Sequence, residues 1–113
     1  MKFSTVKELT SGADNTTITV PNGYDIVINY LYLKNRATAN GDVDVTWVSD
    51  GTPISFISGK SVASKEVIEF GASESAYFIM KEGDTLVVTP TNGDFVTIAS
   101  FELVTATPRL NLD

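Results

Sequence analysis

The sequence predicts an all-β domain: a single antiparallel β-sandwich, jelly-roll-like or Ig-like, with about eight strands. Three observations point there. Threonine, valine and isoleucine make up 34 of the 113 residues, and their branched side chains fit a pleated strand better than a helix. Period-2 alternation recurs, as in Val43-Asp44-Val45-Thr46-Trp47 and Phe95-Val96-Thr97-Ile98-Ala99-Ser100-Phe101, with no sustained helical stripe. The glycines stand at 12, 23, 41, 51, 59, 71, 83 and 93. Most gaps are about 8–12 residues, the spacing at which strand and turn repeat through a sandwich or barrel.

Strands are expected near 2–9, 15–20, 24–34, 43–49, 54–57, 66–70, 76–81, 85–89 and 94–104. The second and third are separated by Pro21-Asn22-Gly23, the third and fourth by Asn40-Gly41-Asp42, and the fourth and fifth by Asp50-Gly51. Glu82-Gly83-Asp84 and Asn92-Gly93 flank the eighth. Asn-Gly and Asp-Gly tolerate positive φ at both central residues, which tight hairpins require. No long repeat and no Gly/Ser or Pro linker divides the chain. Residues 1–113 therefore read as one domain, with short arms expected at 1–10 and 105–113.

The strand at 24–34 is apolar on both faces. Strict alternation places Ile26, Ile28, Tyr30 and Tyr32 on one side and Val27, Leu31 and Leu33 on the other. A sandwich strand buries only one face, so the outer one should turn polar. The same excess recurs in Tyr77-Phe78-Ile79-Met80, and in Val96, Ile98 and Val104 behind Phe95, Phe101 and Leu103. Adjacent strands with apolar outer faces suggest a subunit interface and a homo-oligomer.

Composition excludes much chemistry. Cysteine and histidine are absent, which removes thiol nucleophiles, Ser-His-Asp hydrolysis, imidazole acid–base work and zinc sites built on either residue. Disulfides go with them, so packing alone must hold the fold. The chain carries 8 basic against 14 acidic residues, net −6. Its arginines, Arg36 and Arg109, and its scattered lysines form no basic cluster, so nucleic acid and anionic membrane are not expected as partners. The N-terminus lacks the apolar core of a secretory signal. The apolar stretch Ile26 to Leu33 is far short of the roughly 20 residues of a membrane helix.

Each candidate for catalysis or ligand binding has a plainer structural explanation. Asp42 and Asp44 share a face beside a turn, but Ca²⁺ needs about six to eight oxygens and no EF-hand pattern is present. Glu66 with Glu69, or Asp84 with Asp94, would serve as a glycosidase pair only in a deep cleft, for which a domain this small has little room. Trp47 with Tyr24, Tyr30, Tyr32 and Tyr77 would make a sugar-stacking platform, yet Trp47 shares its face with Val43 and Val45 and reads as core. The glycines are single, so no phosphate loop exists. No catalytic, cofactor or metal residue is assigned, and the chain reads as a non-enzyme.

At the C-terminus Pro108 marks an exit from the sheet. Leu110 and Leu112 then alternate with polar neighbours, as in a short strand that docks on a partner by strand addition. The candidate interface is therefore Tyr30, Tyr32, Tyr77, Ile79, Leu110 and Leu112.

The segments Leu31-Tyr32-Leu33-Lys34-Asn35, Val43-Asp44-Val45-Thr46-Trp47, Phe78-Ile79-Met80-Lys81-Glu82-Gly83-Asp84-Thr85-Leu86-Val87-Val88 and Val96-Thr97-Ile98-Ala99-Ser100-Phe101-Glu102 follow one another in order. Together, over roughly residues 16–104, they resemble the small β-sandwich virion proteins of tailed bacteriophages, which decorate heads or serve as neck and tail accessories. The resemblance implies a structural protein of the virion, made in the host cytoplasm, that binds other virion proteins. A carbohydrate- or receptor-binding module on a phage tail or cell surface is the alternative. The resemblance carries no binding residues with it.

Overall fold

The computed structural model describes residues 2–12, 15–70 and 78–108. Among them nine strands form: β1 (Lys2–Leu9), β2 (Thr16–Thr19), β3 (Tyr24–Asn35), β4 (Gly41–Ser49), β5 (Thr52–Val62), β6 (Val67–Phe70), β7 (Phe78–Met80), β8 (Thr85–Asn92) and β9 (Phe95–Thr105). All pairings are antiparallel. One sheet runs β1-β9-β3-β6, with β7 also on β3; the other runs β2-β8-β4-β5. β6 opposes Leu31–Lys34 and β7 opposes Ile26–Ile28, on the edge of β3 that β9 leaves free. They fill one strand position in two pieces. Counted so, early and late strands alternate across both sheets in the double Greek-key order of a jelly roll. The Ig-like arrangement, which keeps the first two strands side by side in one sheet, is not the one found.

The two sheets close over Leu9, Ile18, Val20, Ile26, Ile28, Leu31, Leu33, Val43, Val45, Val62, Met80, Leu86, Val88, Phe95 and Ala99, all buried. Each large side chain in that set contributes about 1.5–3 kcal/mol on leaving water. Trp47, Ile57, Ile68, Phe101 and Leu103 pack against its rim.

β3 does not alternate strictly. Its pairing with β9 runs through Ile28↔Phe101 and resumes at Tyr30↔Ser100, leaving Asn29 as an extra, exposed residue. That bulge reverses the side-chain parity. Ile26 and Ile28 before it and Leu31 and Leu33 after it all face the core. Val27, Tyr30, Tyr32 and Lys34 face outward. The expectation that Ile26 and Ile28 share a face with Tyr30 and Tyr32 is thereby corrected. Both faces read as apolar because one strand carries two inward sets in opposite phase.

β5 extends well beyond the expected 54–57. Its second half, Ser58-Gly59-Lys60-Ser61, has no apolar alternation, yet register shifts at Val43/Val45 and Val45/Thr46 keep it paired to β4, and the Gly59 N–H donates to Asp44 Oδ1. Residues 2–9, expected as a strand or a short arm, are an edge strand paired along their whole length with β9.

Buried polar groups tie off both ends. At one end Asn35 is fully buried; its Nδ2 donates to the carbonyls of Ala39 (2.9 Å), Val62 (2.9 Å) and Ala63 (3.3 Å), and its Oδ1 accepts from Ala37 N–H. At the other end Asp84 accepts from Trp47 Nε1 (3.2 Å) and from the backbone N–H groups of Asp50 and Lys81 (3.1 Å each). A buried carboxylate so surrounded joins the end of β4 and its turn to the Lys81–Asp84 turn, since each donor would otherwise lose its partner.

Candidate interaction surface

The outer faces of the two sheets differ in kind. On the four-stranded sheet, the residues between the core-facing Ile18, Val43, Val45, Leu86 and Val88 are Thr17 and Thr19 on β2, Asp42, Asp44, Thr46 and Val48 on β4, and Thr85, Val87 and Thr89 on β8. That face is rich in threonine and aspartate. The other sheet presents cross-strand rows instead. Val6, Ile98 and Tyr32 lie in one row, ending at Glu69; Ser4, Ser100 and Tyr30 form the next; Lys2, Glu102, Val27 and Ile79 form the third. Val6 is 68% exposed and Ile79 42%. Aliphatic and aromatic side chains thus stand at Val6, Ile98, Tyr32, Tyr30, Val27 and Ile79, with the hydrogen-bonded Ser4–Ser100 pair and Glu102 among them on β1 and β9.

The bulge at Asn29 puts Tyr30 and Tyr32 on this face, with ring centroids 6.2 Å apart and planes 28° from parallel. Partial desolvation, with the neighbouring Glu69 carboxylate and Tyr32, pushes the Tyr30 phenol above its ordinary value. Tyr30 therefore stays uncharged at physiological pH, and the stacked rings have flat faces available for apolar contact. Ile79 joins the same face by its register with Val27. Tyr77, Leu110 and Leu112 lie outside the described residues. The sequence reading left out Val6 and Val27, although Val6 stands among polar outer residues of 2–9 as an apolar exception.

Asp25 belongs to the lower margin of this face. It is buried, and its Oδ2 accepts from Lys81 Nζ at 2.8 Å and from Thr107 N–H and Oγ1 at 3.2 and 3.0 Å. Burial alone would raise this carboxyl; the ammonium and the two Thr107 donors outweigh it and hold the pKa below its ordinary value. Together these bonds fix the chain at Thr107 against the start of β3.

No protein-family model, curated protein or solved structure matches this chain.

The other sequence candidates fall apart in space. Trp47 sits on the inner side of the four-stranded sheet, so of the five aromatics weighed as a sugar platform only Tyr30 and Tyr32 are brought together among the described residues. Asp84 and Asp94 flank opposite ends of β8, on the order of 25 Å apart at about 3.3 Å per residue, and Asp84 is spent on its three donors. Glu66 is exposed ahead of β6 while Glu69 stands beside Tyr30. Asp44 already accepts from Gly59, and among the described residues no three acidic groups converge.

Proposed function

We propose that this chain is a non-enzymatic virion structural protein that binds an assembled bacteriophage particle and stabilises or decorates it, using the outer face of its five-stranded sheet. One observation carries the reading: that face gathers Val6, Ile98, Tyr30, Tyr32, Val27 and Ile79, while β2, β4 and β8 of the other sheet present mainly threonine and aspartate outward. An exposed apolar patch with a polar rim marks an interaction surface. The resemblance of the strand segments to small phage virion proteins supports the choice of partner. The jelly-roll order fits it by fold-level analogy, being used by viral shell domains and lectins alike.

The decisive measurement is attachment of purified protein to particles assembled without it. Tyr30→Ser, Tyr32→Ser and Ile79→Ser should weaken attachment by tenfold or more, since aromatic anchors at interface centres are worth about 2 kcal/mol or more each. Thr89→Ser on the opposite face should change nothing. Equal attachment by all four variants would overturn the reading.

The Tyr30–Tyr32 pair favours a second reading, a glycan- or receptor-binding module, because stacked rings accept the apolar face of a sugar. Saturable change in aromatic fluorescence with a glycan panel, abolished by Tyr32→Ser, would select it.

A further inference from the structure

β1 is an edge strand that invites a second copy of itself. Among the described residues it pairs with β9 alone, through eight consecutive registers without a bulge. It contains neither proline nor glycine, and seven of its eight residues are exposed. Edges this long and regular are usually blunted by proline, bulges or short length. Here the alternative is charge: Lys2, Lys7 and Glu8 stand on an eight-residue strand.

Those charges are self-complementary. We propose that two copies pair antiparallel through β1, about a two-fold axis at Thr5. Symmetry requires that paired residue numbers sum to a constant. Matching outer face to outer face requires an even sum, because side chains alternate with period 2. Centred on Thr5, Lys2 of each copy stands opposite Glu8 of the other, and Ser4 stands opposite Val6. On the inner side Phe3 stands opposite Lys7, and Thr5 opposite itself. No like charges meet. Centring on Ser4 instead sets Lys2 against Val6, so that Lys2 and Glu8 no longer meet. Centring on Val6 sets Lys2 against Thr10 and Glu8 against Ser4. Only the Thr5 register forms both ion pairs, and symmetry makes two of them.

The inner side of β1 gives a second reason for pairing. Phe3, which stacks on Phe101 at 5.6 Å, is 39% exposed because the four-residue β2 does not cover it. A groove of about 320 Å³ opens there, lined by Phe3, Thr5, Ile18, Ile26, Phe101 and Leu103. In the proposed pair the methylenes of the second copy's Lys7 stand across from Phe3 at its rim. The two five-stranded sheets merge into one, and both outer faces lie on the same side. This pairing does not depend on what that face binds.

Sedimentation velocity over a concentration series tests it with the full chain. The wild type should dimerise reversibly. Glu8→Lys sets lysine against lysine twice and should weaken dimerisation on the order of tenfold. The double variant K2E/E8K restores opposite charges in the Thr5 register and should recover it. It does not restore the 3.5 Å contact of Glu8 with Arg36, so recovery separates intersubunit pairing from any loss within the fold. In this cysteine-free chain, Thr5→Cys should also form a symmetric disulfide on mild oxidation, since opposed Cα atoms about 4.5–5.5 Å apart lie within bridging range. Thr89→Cys should not. A wild type monomeric to several hundred micromolar, a dimer indifferent to Glu8→Lys, or a charge swap that fails to recover it would each overturn the proposal.

Discussion

Asp25 and Thr107, 82 residues apart, meet through two hydrogen bonds to one carboxylate oxygen, with the Lys81 ammonium completing the cluster. The contact ties the end of the described chain to the start of β3.

The Asp25 cluster makes stability depend on pH in a definite direction. Its carboxyl is held below the ordinary 3.8 in the folded state. The folded protein then binds fewer protons here than the unfolded chain. The stabilisation is complete above pH ~4 and is lost as pH falls through the lowered folded value. Thermal melts should show the midpoint dropping below pH ~4. Asp25→Asn should cost about 1–3 kcal/mol at neutral pH and flatten that acid limb. An unchanged limb would show that other carboxyls govern it.

Deleting Asn29 should be far worse than replacing it. The residue is exposed, so Asn29→Ala should stay within about 0.5 kcal/mol of wild type. Deletion removes the bulge, and one face of β3 must then turn Ile26 and Ile28, or Leu31 and Leu33, out of the core. Circular dichroism and soluble yield should separate the two variants at once. A deletion variant that folds normally would refute the parity account.

Asn35→Ala strips the donor from the carbonyls of Ala39, Val62 and Ala63. Urea unfolding should register a loss of about 2–4 kcal/mol, at roughly 1–3 kcal/mol for each buried group left unsatisfied and allowing for partial repair by water. Asn35→Asp should be at least as damaging, since a carboxylate would face those carbonyls.

Gly41 is required for space. A Cβ there would sit 2.7 Å from the Asn92 carbonyl oxygen and 3.0 Å from a Phe95 ring carbon. Gly41→Ala should lower stability by about 1–3 kcal/mol through forced movement of β8, read as a shift in the urea midpoint without a change in slope.

Much of this architecture was legible in the residues. The limits of 2–9 match β1, and the hairpin glycines at 23, 83 and 93 do adopt positive φ. Phe95, Phe101 and Leu103 face inward with Val96, Ile98 and Val104 outward, as alternation requires. The bulge was hidden because an extra residue leaves composition and propensity unchanged and alters only the phase. β5 was read too short because Gly59, Lys60 and Ser61 are held by register with β4 rather than by their own preference. Tyr30, Tyr32 and Ile79 were picked out for apolar excess, and they do share one face. Asp25 and Asn35 were missed: a lone polar residue inside an apolar run has no local signal that distant segments will converge on it.

The pairing of β1 with β9 sets Lys2 against Glu102, joining the two extremes of the described chain. During synthesis β1 is made well before β9 and must wait for that strand before the pairing seen here can form. β3 likewise cannot complete its sheet until β9 arrives. Closing loops of that length before the contacts reward it makes folding slow, on the order of milliseconds to seconds for such all-β topologies. Between the making of β1 and of β9 the nascent chain thus carries an unpaired strand, and crowding of ribosomes on one message brings such strands of neighbouring chains together in that interval.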